Sequence, residues 1–139
     1  MDQSIIFFFA AIIIIAALLF YLICMTKHGV KHLDVEKYRV KWLAIEQQLK
    51  RDEVSSFHLT VLNADKLVDQ ALRERGVKGQ TMGERMKNSV SLFSDRNGIW
   101  TAHKLRNKIA HETDVKVTYE EARFALKNFK KALKDLGAI

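Results

Sequence analysis

Residues 118–137 read TYEEARFALKNFKKALKDLG, and this stretch decides the fold class. Thr118 and Glu121 have the spacing of a capping box, in which each side chain satisfies a backbone N–H that the first helical turn leaves unpaired. Behind them Ala122, Leu126, Phe129, Leu133 and Leu136 recur at steps of three and four, the stripe of a helix that buries one face. Gly137 supplies the stop. Lys127, Lys130, Lys131 and Lys134 lie toward the carboxyl-terminal end, where cations suit the helix dipole, and read as a solvated face. A helix of this kind needs partners of its own sort.

Working back along the chain, the partners are present. Proline is absent, and Gly, Ser, Thr and Asn separate further amphipathic patterns. Val35, Tyr38, Trp42, Ile45 and Leu49 form a stripe that Asp34 can cap, predicting a helix from Val35 to Arg51. Phe57, Val61, Ala64, Val68 and Ala71 predict a second from Ser56 to Arg75, with Ser55 and Ser56 as cap candidates and Gly76 suited to the left-handed residue beyond it. Thr81 and Glu84 repeat the capping-box spacing ahead of Met82, Met86, Val90 and Phe93, a short third helix. Asp95-Arg96-Asn97-Gly98 reads as a turn feeding a fourth helix, Ile99 to Glu112. The expectation is an all-α protein whose residues 34–139 form one four- to five-helix bundle with a single core. Nothing in it repeats at a fixed period.

The amino-terminal end is of another kind. Ile5 to Met25 is an unbroken apolar run without charge, long enough to cross a hydrocarbon core of about 30 Å as one helix. Only Asp2 precedes it and bulky Phe20, Tyr21, Leu22 and Ile23 close it, so it reads as an uncleaved anchor and not as a signal peptide. The organisation expected is a short tail at 1–4, a transmembrane helix at 5–25, a basic linker at 26–33 and the bundle. Lys27, Lys31, Lys37, Arg39 and Lys41 follow the span and none precedes it. Such an asymmetry places the amino terminus outside and the bundle in the cytoplasm.

The chain carries 23 Lys and Arg against 16 Asp and Glu, a formal +7, and all but Asp2 lie beyond the anchor. That excess favours anionic partners, lipid headgroups or RNA. The single cysteine, Cys24, falls in the span and allows neither an internal disulfide nor a thiolate metal site. No glycine-rich phosphate loop, paired-histidine zinc spacing or serine elbow occurs, so no metal and no cofactor is expected. His28 and His32 fall in the linker and His58 beside an apolar stripe.

The remaining histidines lie in the fourth helix. With about 100° per residue, Ile99, Ala102, Leu105 and Ile109 share the side expected to be buried. Trp100, His103, Lys104, Asn107 and His111 share the other, with His103, Asn107 and His111 in a row. Arg106 and His111, five apart, point about 140° away from each other. Focusing both on one atom needs the long arginine stem, a loosened helix end or a second copy of the chain.

The wording Leu105-Arg106-Asn107-Lys108-Ile109-Ala110-His111 resembles the motif of the HEPN superfamily, the helical domains of higher eukaryotes and prokaryotes that bind nucleotides. In that family arginine, a polar residue and then a histidine after four to six positions mark the site. The resemblance covers Val35 to Ile139. It implies a metal-independent ribonuclease, often a homodimer with two motifs facing across a cleft, although many members have other activities. On that basis the catalytic candidates are Arg106, to stabilise a crowded anionic phosphorane, His111, to move a proton near neutrality, and Asn107, to orient His111 or a phosphate oxygen. His103, Lys104 and Lys108 are the candidates for holding RNA. The competing reading is a membrane-tethered protein- or nucleic-acid-interaction module without turnover, whose Arg106 to His111 face binds its partner; were the motif a chance one in a basic helix, Arg106 would be ion-paired to an acidic neighbour and His111 a carboxyl-terminal helix cation.

Overall fold

A computed structural model describes residues 2–26 and 31–139; much of the expected linker, with Lys27 and His28, lies outside them. Among the described residues all regular structure is helical, and the chain divides into two units, residues 1–30 and 31–139.

The first unit is helix α1, Gln3–Thr26, of 24 residues. At 1.5 Å per residue it is about 36 Å long, and Phe7, Phe20 and Tyr21 are typical of its exposed apolar side chains. It is long and apolar enough to cross a membrane. Helix formation begins two residues earlier than the apolar run, at Gln3, because polar residues extend the backbone ladder as readily as the isoleucines do.

The second unit holds five α-helices: α2 (Val35–Gln48), α3 (Val54–Glu74), α4 (Met82–Asn88), α5 (Arg96–His111) and α6 (Tyr119–Asp135). Asp34 caps α2 by accepting from the Lys37 N–H at 3.0 Å. The helix ends at Gln48, three residues before the expected Arg51. The expected cap at Ser55 or Ser56 also moves: α3 begins at Val54, and the Ser56 hydroxyl donates back to the Lys50 and Glu53 carbonyls. That bond closes the α2–α3 turn.

Helix α3 is the hub and packs on α2, α4, α5 and α6. It runs antiparallel to α2, as the pairs Lys37–Glu74, Lys41–Gln70 and Gln48–Asn63 show. It ends in a Schellman turn. Gly76, at φ +81°, lets its N–H reach the Arg73 carbonyl while Val77 reaches Leu72. Gly137 ends α6 in the same way, at φ +69°. The capping box of α6 is formed in full, since Glu121 N–H donates to Thr118 Oγ1 and Thr118 N–H to Glu121 Oε2. The Thr118 N–H, and after it the Thr118 hydroxyl, both donating to Glu121 Oε2, hold the Glu121 carboxyl below its ordinary range, with the cation of Lys108 adding to it.

In the core, Tyr38, Trp42 and Ile45 of α2 meet Val61, Val68 and Leu72 of α3 and Phe129, Leu133 and Leu136 of α6, all buried. Val35 and Val90 of the expected stripes are exposed: Val35 is the first residue of its pattern, and Val90 falls in a 3-10 turn, Val90–Leu92, where the helical period of α4 has already ended at Asn88. The tetrapeptide Asp95-Arg96-Asn97-Gly98 is no free turn but the cap and first turn of α5, with Asp95 accepting from the Gly98 N–H at 2.8 Å. Gly98 also lets α5 approach α6, because a Cβ there would stand 2.1 Å from Asn128 Oδ1.

The ion pair that ties α2 to α3 has a measurable pH signature. Lys37 and Gln70 donate to Glu74 at 2.9 and 2.8 Å and hold its carboxyl at about 2, against about 4.3 in an unfolded chain. A folded pKa below the unfolded one means stability that is complete above about 4.3 and lost as pH falls toward 2. The pair is part-exposed, so its worth stays below about 1 kcal/mol. Glu74→Gln is therefore expected to lower the melting temperature slightly at pH 7 and to match the parent near pH 2, by circular dichroism. Equal melting at both pH values would contradict it.

Candidate functional site

The chemistry-bearing stretch of α5 does not face plain solvent. Between α3, the amino-terminal end of α4 and α5 lies an open cleft of about 670 Å³. Lys104, Arg106, Asn107 and His111 all line it, and so does His103. The five side chains that the sequence set around one helix thus share one concavity. Lys108 is not among them. It points to the other flank of α5, into a groove with Leu105, Glu121 and Phe124, and so is not brought to the site.

The floor of the cleft is a buried carboxylate that the sequence reading did not single out. Asp65 of α3, 3 % exposed, stands 2.8 Å from His103 Nδ1 through Oδ1 and 3.2 Å from Arg106 Nε through Oδ2. The first contact is a hydrogen bond. The second is an ion pair whose N–H is not aligned on the oxygen, leaving Arg106 Nε buried without a hydrogen bond. His103 is correspondingly buried, at 6 % exposure. The expected solvent-facing row of His103, Asn107 and His111 is corrected at its first member, because the carboxylate of α3 draws that imidazole inward.

Asn107 also differs from expectation. Its Oδ1 accepts from Arg106 Nη1 at 3.0 Å, so among the described residues it braces the arginine and not His111. The guanidinium is thereby held on two sides, by Asp65 and Asn107, and Nη2 makes no hydrogen bond among the described residues. His111 is the last residue of α5 and exposed. The long arginine stem reaches to Asp65 of α3, and Arg106 and His111 both line the cleft.

One turn along α3, Asp69 repeats the device. It accepts from Arg85 Nε of α4 and from Arg73 Nη2, each at 2.7 Å, and Arg85 is 4 % exposed and donates to the Gly79 carbonyl. This pair fixes the short helix α4 against α3 and so fixes the width of the cleft. With Asp65 and Asp69 both neutralised, the rim keeps Lys66, Lys87 and Lys104 without an ion pair among the described residues. The field at the mouth is cationic. Trp100 adds an aromatic wall, edge-on to His103 with ring centres 6.0 Å apart.

A sequence signal for Asp65 existed. Its neighbours on the helical surface, Val61 and Val68, belong to the apolar stripe of α3, so a carboxylate there is on the buried side and needs a cationic or hydrogen-bonding partner. The identity of that partner depends on how α5 crosses α3, which periodicity does not fix. No group of three or more His, Cys, Asp or Glu among the described residues is arranged to hold a metal ion. Compared with protein-family models, curated proteins and solved structures, the chain matches none.

Proposed function

We propose that the chain is a single-pass membrane protein carrying a HEPN-like domain on the cytoplasmic side, and that this domain cleaves RNA without a metal through Arg106 and His111 at a homodimer interface. The observation that carries the reading is the shared cleft, whose lining gathers an arginine, a histidine and unpaired lysines. The lysines that follow α1, with none before it, support the orientation.

In the reaction, the ribose 2′-oxygen attacks phosphorus and the P–O5′ bond breaks, leaving a 2′,3′-cyclic phosphate and a 5′-hydroxyl. One His111 takes the 2′-hydroxyl proton through a neutral ring nitrogen and the His111 of a second copy gives a proton to the departing 5′-oxygen. Arg106 uses its Nη2 edge to stabilise the dianionic phosphorane, charge that exists only in the transition state. Lys104, Lys66 and Lys87 hold the backbone on either side. A common membrane raises the effective concentration of two chains and favours the pairing.

His103 acts on this account through the hydrogen bond to Asp65, as part of the scaffold that orients Arg106. Asp65→Asn is expected to lower kcat for RNA about 10- to 100-fold, the usual cost of a misplaced reacting group, while KM changes less than about threefold. A variant that loses KM and kcat alike, or neither, would contradict a positioning role.

The test of the reading is incubation of the full chain in detergent micelles with mixed RNA and EDTA. Cleavage supports it and intact RNA overturns it. RNA that is bound and left uncut would point to the second reading, a tethered interaction module without turnover.

A further inference from the structure

Helix α6 presents a cationic strip that the cleft does not use. With about 100° per residue, Lys130, Arg123, Lys134, Lys127 and Lys131 fall within an arc of about 100° along three turns. Two of them are engaged: Lys130 with Glu46 at 2.7 Å, and Lys131 with Asp95 at 4.0 Å. Arg123, Lys127 and Lys134 form no ion pair among the described residues, although the field of Lys134 reaches Glu46. At the edge of the strip, on the side of Lys131, stands Phe124, 48 % exposed and lining the same groove as Lys127, Lys130, Lys131 and Lys134.

An exposed ring set among unpaired cations matches the interface of a bilayer, where acidic headgroups meet the basic side chains and the ring enters the headgroup boundary. The tether argues for the same occupant. Residues 27–34 join α1 to α2, a reach of at most about 28 Å even fully extended, so a bilayer crossed by α1 keeps its headgroups within reach of the bundle at high effective concentration. RNA is the other polyanion available, but the cations of the proposed RNA site lie in the cleft and share no residue with this strip. We infer that the Arg123–Lys134 face of α6, with Phe124 as its apolar anchor, docks on acidic phospholipid headgroups. This inference stands apart from the nuclease reading and needs only the membrane span.

The experiment uses the full chain reconstituted in phosphatidylcholine vesicles with and without phosphatidylserine, their acyl chains brominated. Phe124→Trp supplies a reporter over the background of Trp42 and Trp100, recorded in the parent. The emission at position 124 is expected to shift to the blue and be quenched in the serine-containing vesicles only, and to revert at about 1 M salt, where charges are screened within about 3 Å. Each cation near an acidic surface contributes about fivefold to binding, so Arg123→Gln/Lys127→Gln/Lys134→Gln is expected to weaken docking about a hundredfold. Lys78→Gln/Lys116→Gln, which removes cations from other surfaces, should leave it unchanged. Emission that ignores the lipid composition overturns the inference, as does a reporter that responds to added poly(U) and not to phosphatidylserine.

Discussion

Arg106→Ala and His111→Ala are each expected to slow RNA cleavage by the full chain at least about a thousandfold, which is about 4 kcal/mol of transition-state stabilisation. The size follows from the roles. A donor aimed at developing phosphorane charge is worth about 10²- to 10³-fold, and a positioned proton-transfer group about 10²- to 10⁴-fold. Because the two residues act on one event, the double variant should be little worse than either single one. Substituting His111 costs little stability, since it is exposed at the end of α5. Arg106→Ala takes one partner from the buried Asp65 but leaves the hydrogen bond to His103, so a melting curve should accompany its rate. Folded variants that cleave at the parental rate would remove both residues from the mechanism.

Phe129→Ala is expected to destabilise the bundle by about 3–5 kcal/mol, and Phe124→Ala, five residues away on the same helix, by less than about 0.5 kcal/mol. Phe129 is fully buried, whereas Phe124 is 48 % exposed. Deleting the first ring leaves a cavity in a core that α2, α3 and α6 close from three sides, and helices anchored by caps and Schellman turns at their ends cannot collapse into it. Deleting the second removes surface already in water. Urea unfolding of the full chain in micelles, followed by circular dichroism, measures both. Equal losses would mean that α6 packs with the wrong face inward. A loss of this size is a large part of the 5–15 kcal/mol that holds a domain of this kind together.

The difference between those two phenylalanines could be read from the chain, and so could most of the fold. The stripe from Ala122 to Leu136 is buried as its spacing requires, and Asp34, Thr81 and Thr118 cap the helices they precede. Local rules sufficed there because caps and stripes are set within one or two turns. At the α3 start the rule failed, since Ser56 satisfies the preceding turn instead of its own helix.

The site was readable only in part. Periodicity put Lys104, Asn107 and His111 on one side of α5, and they do line one cleft. It could not place His103, whose side is decided by a carboxylate 38 residues earlier in the chain. Nor could it show that Asn107 turns to Arg106, or that Arg85 and Asp69 set the position of α4. Each of these contacts joins residues by the angle at which one helix crosses another, or by a choice among rotamers, and neither is written in local spacing. The buried Asp65 is the residue that links fold and site, since it lies on the buried side of α3 beside Val61 and Val68 and meets both His103 and Arg106.

The proposed reaction is RNA strand scission by the 2′-hydroxyl without a metal. The direct measurement is the end chemistry of a labelled oligoribonucleotide after incubation with the full chain in EDTA, beside the same sequence carrying 2′-O-methyl groups. A 2′,3′-cyclic phosphate is expected on one fragment, a 5′-hydroxyl on the other, and no cut in the methylated strand. Intact RNA, or fragments with 5′-phosphates, or scission of the methylated strand, would contradict it.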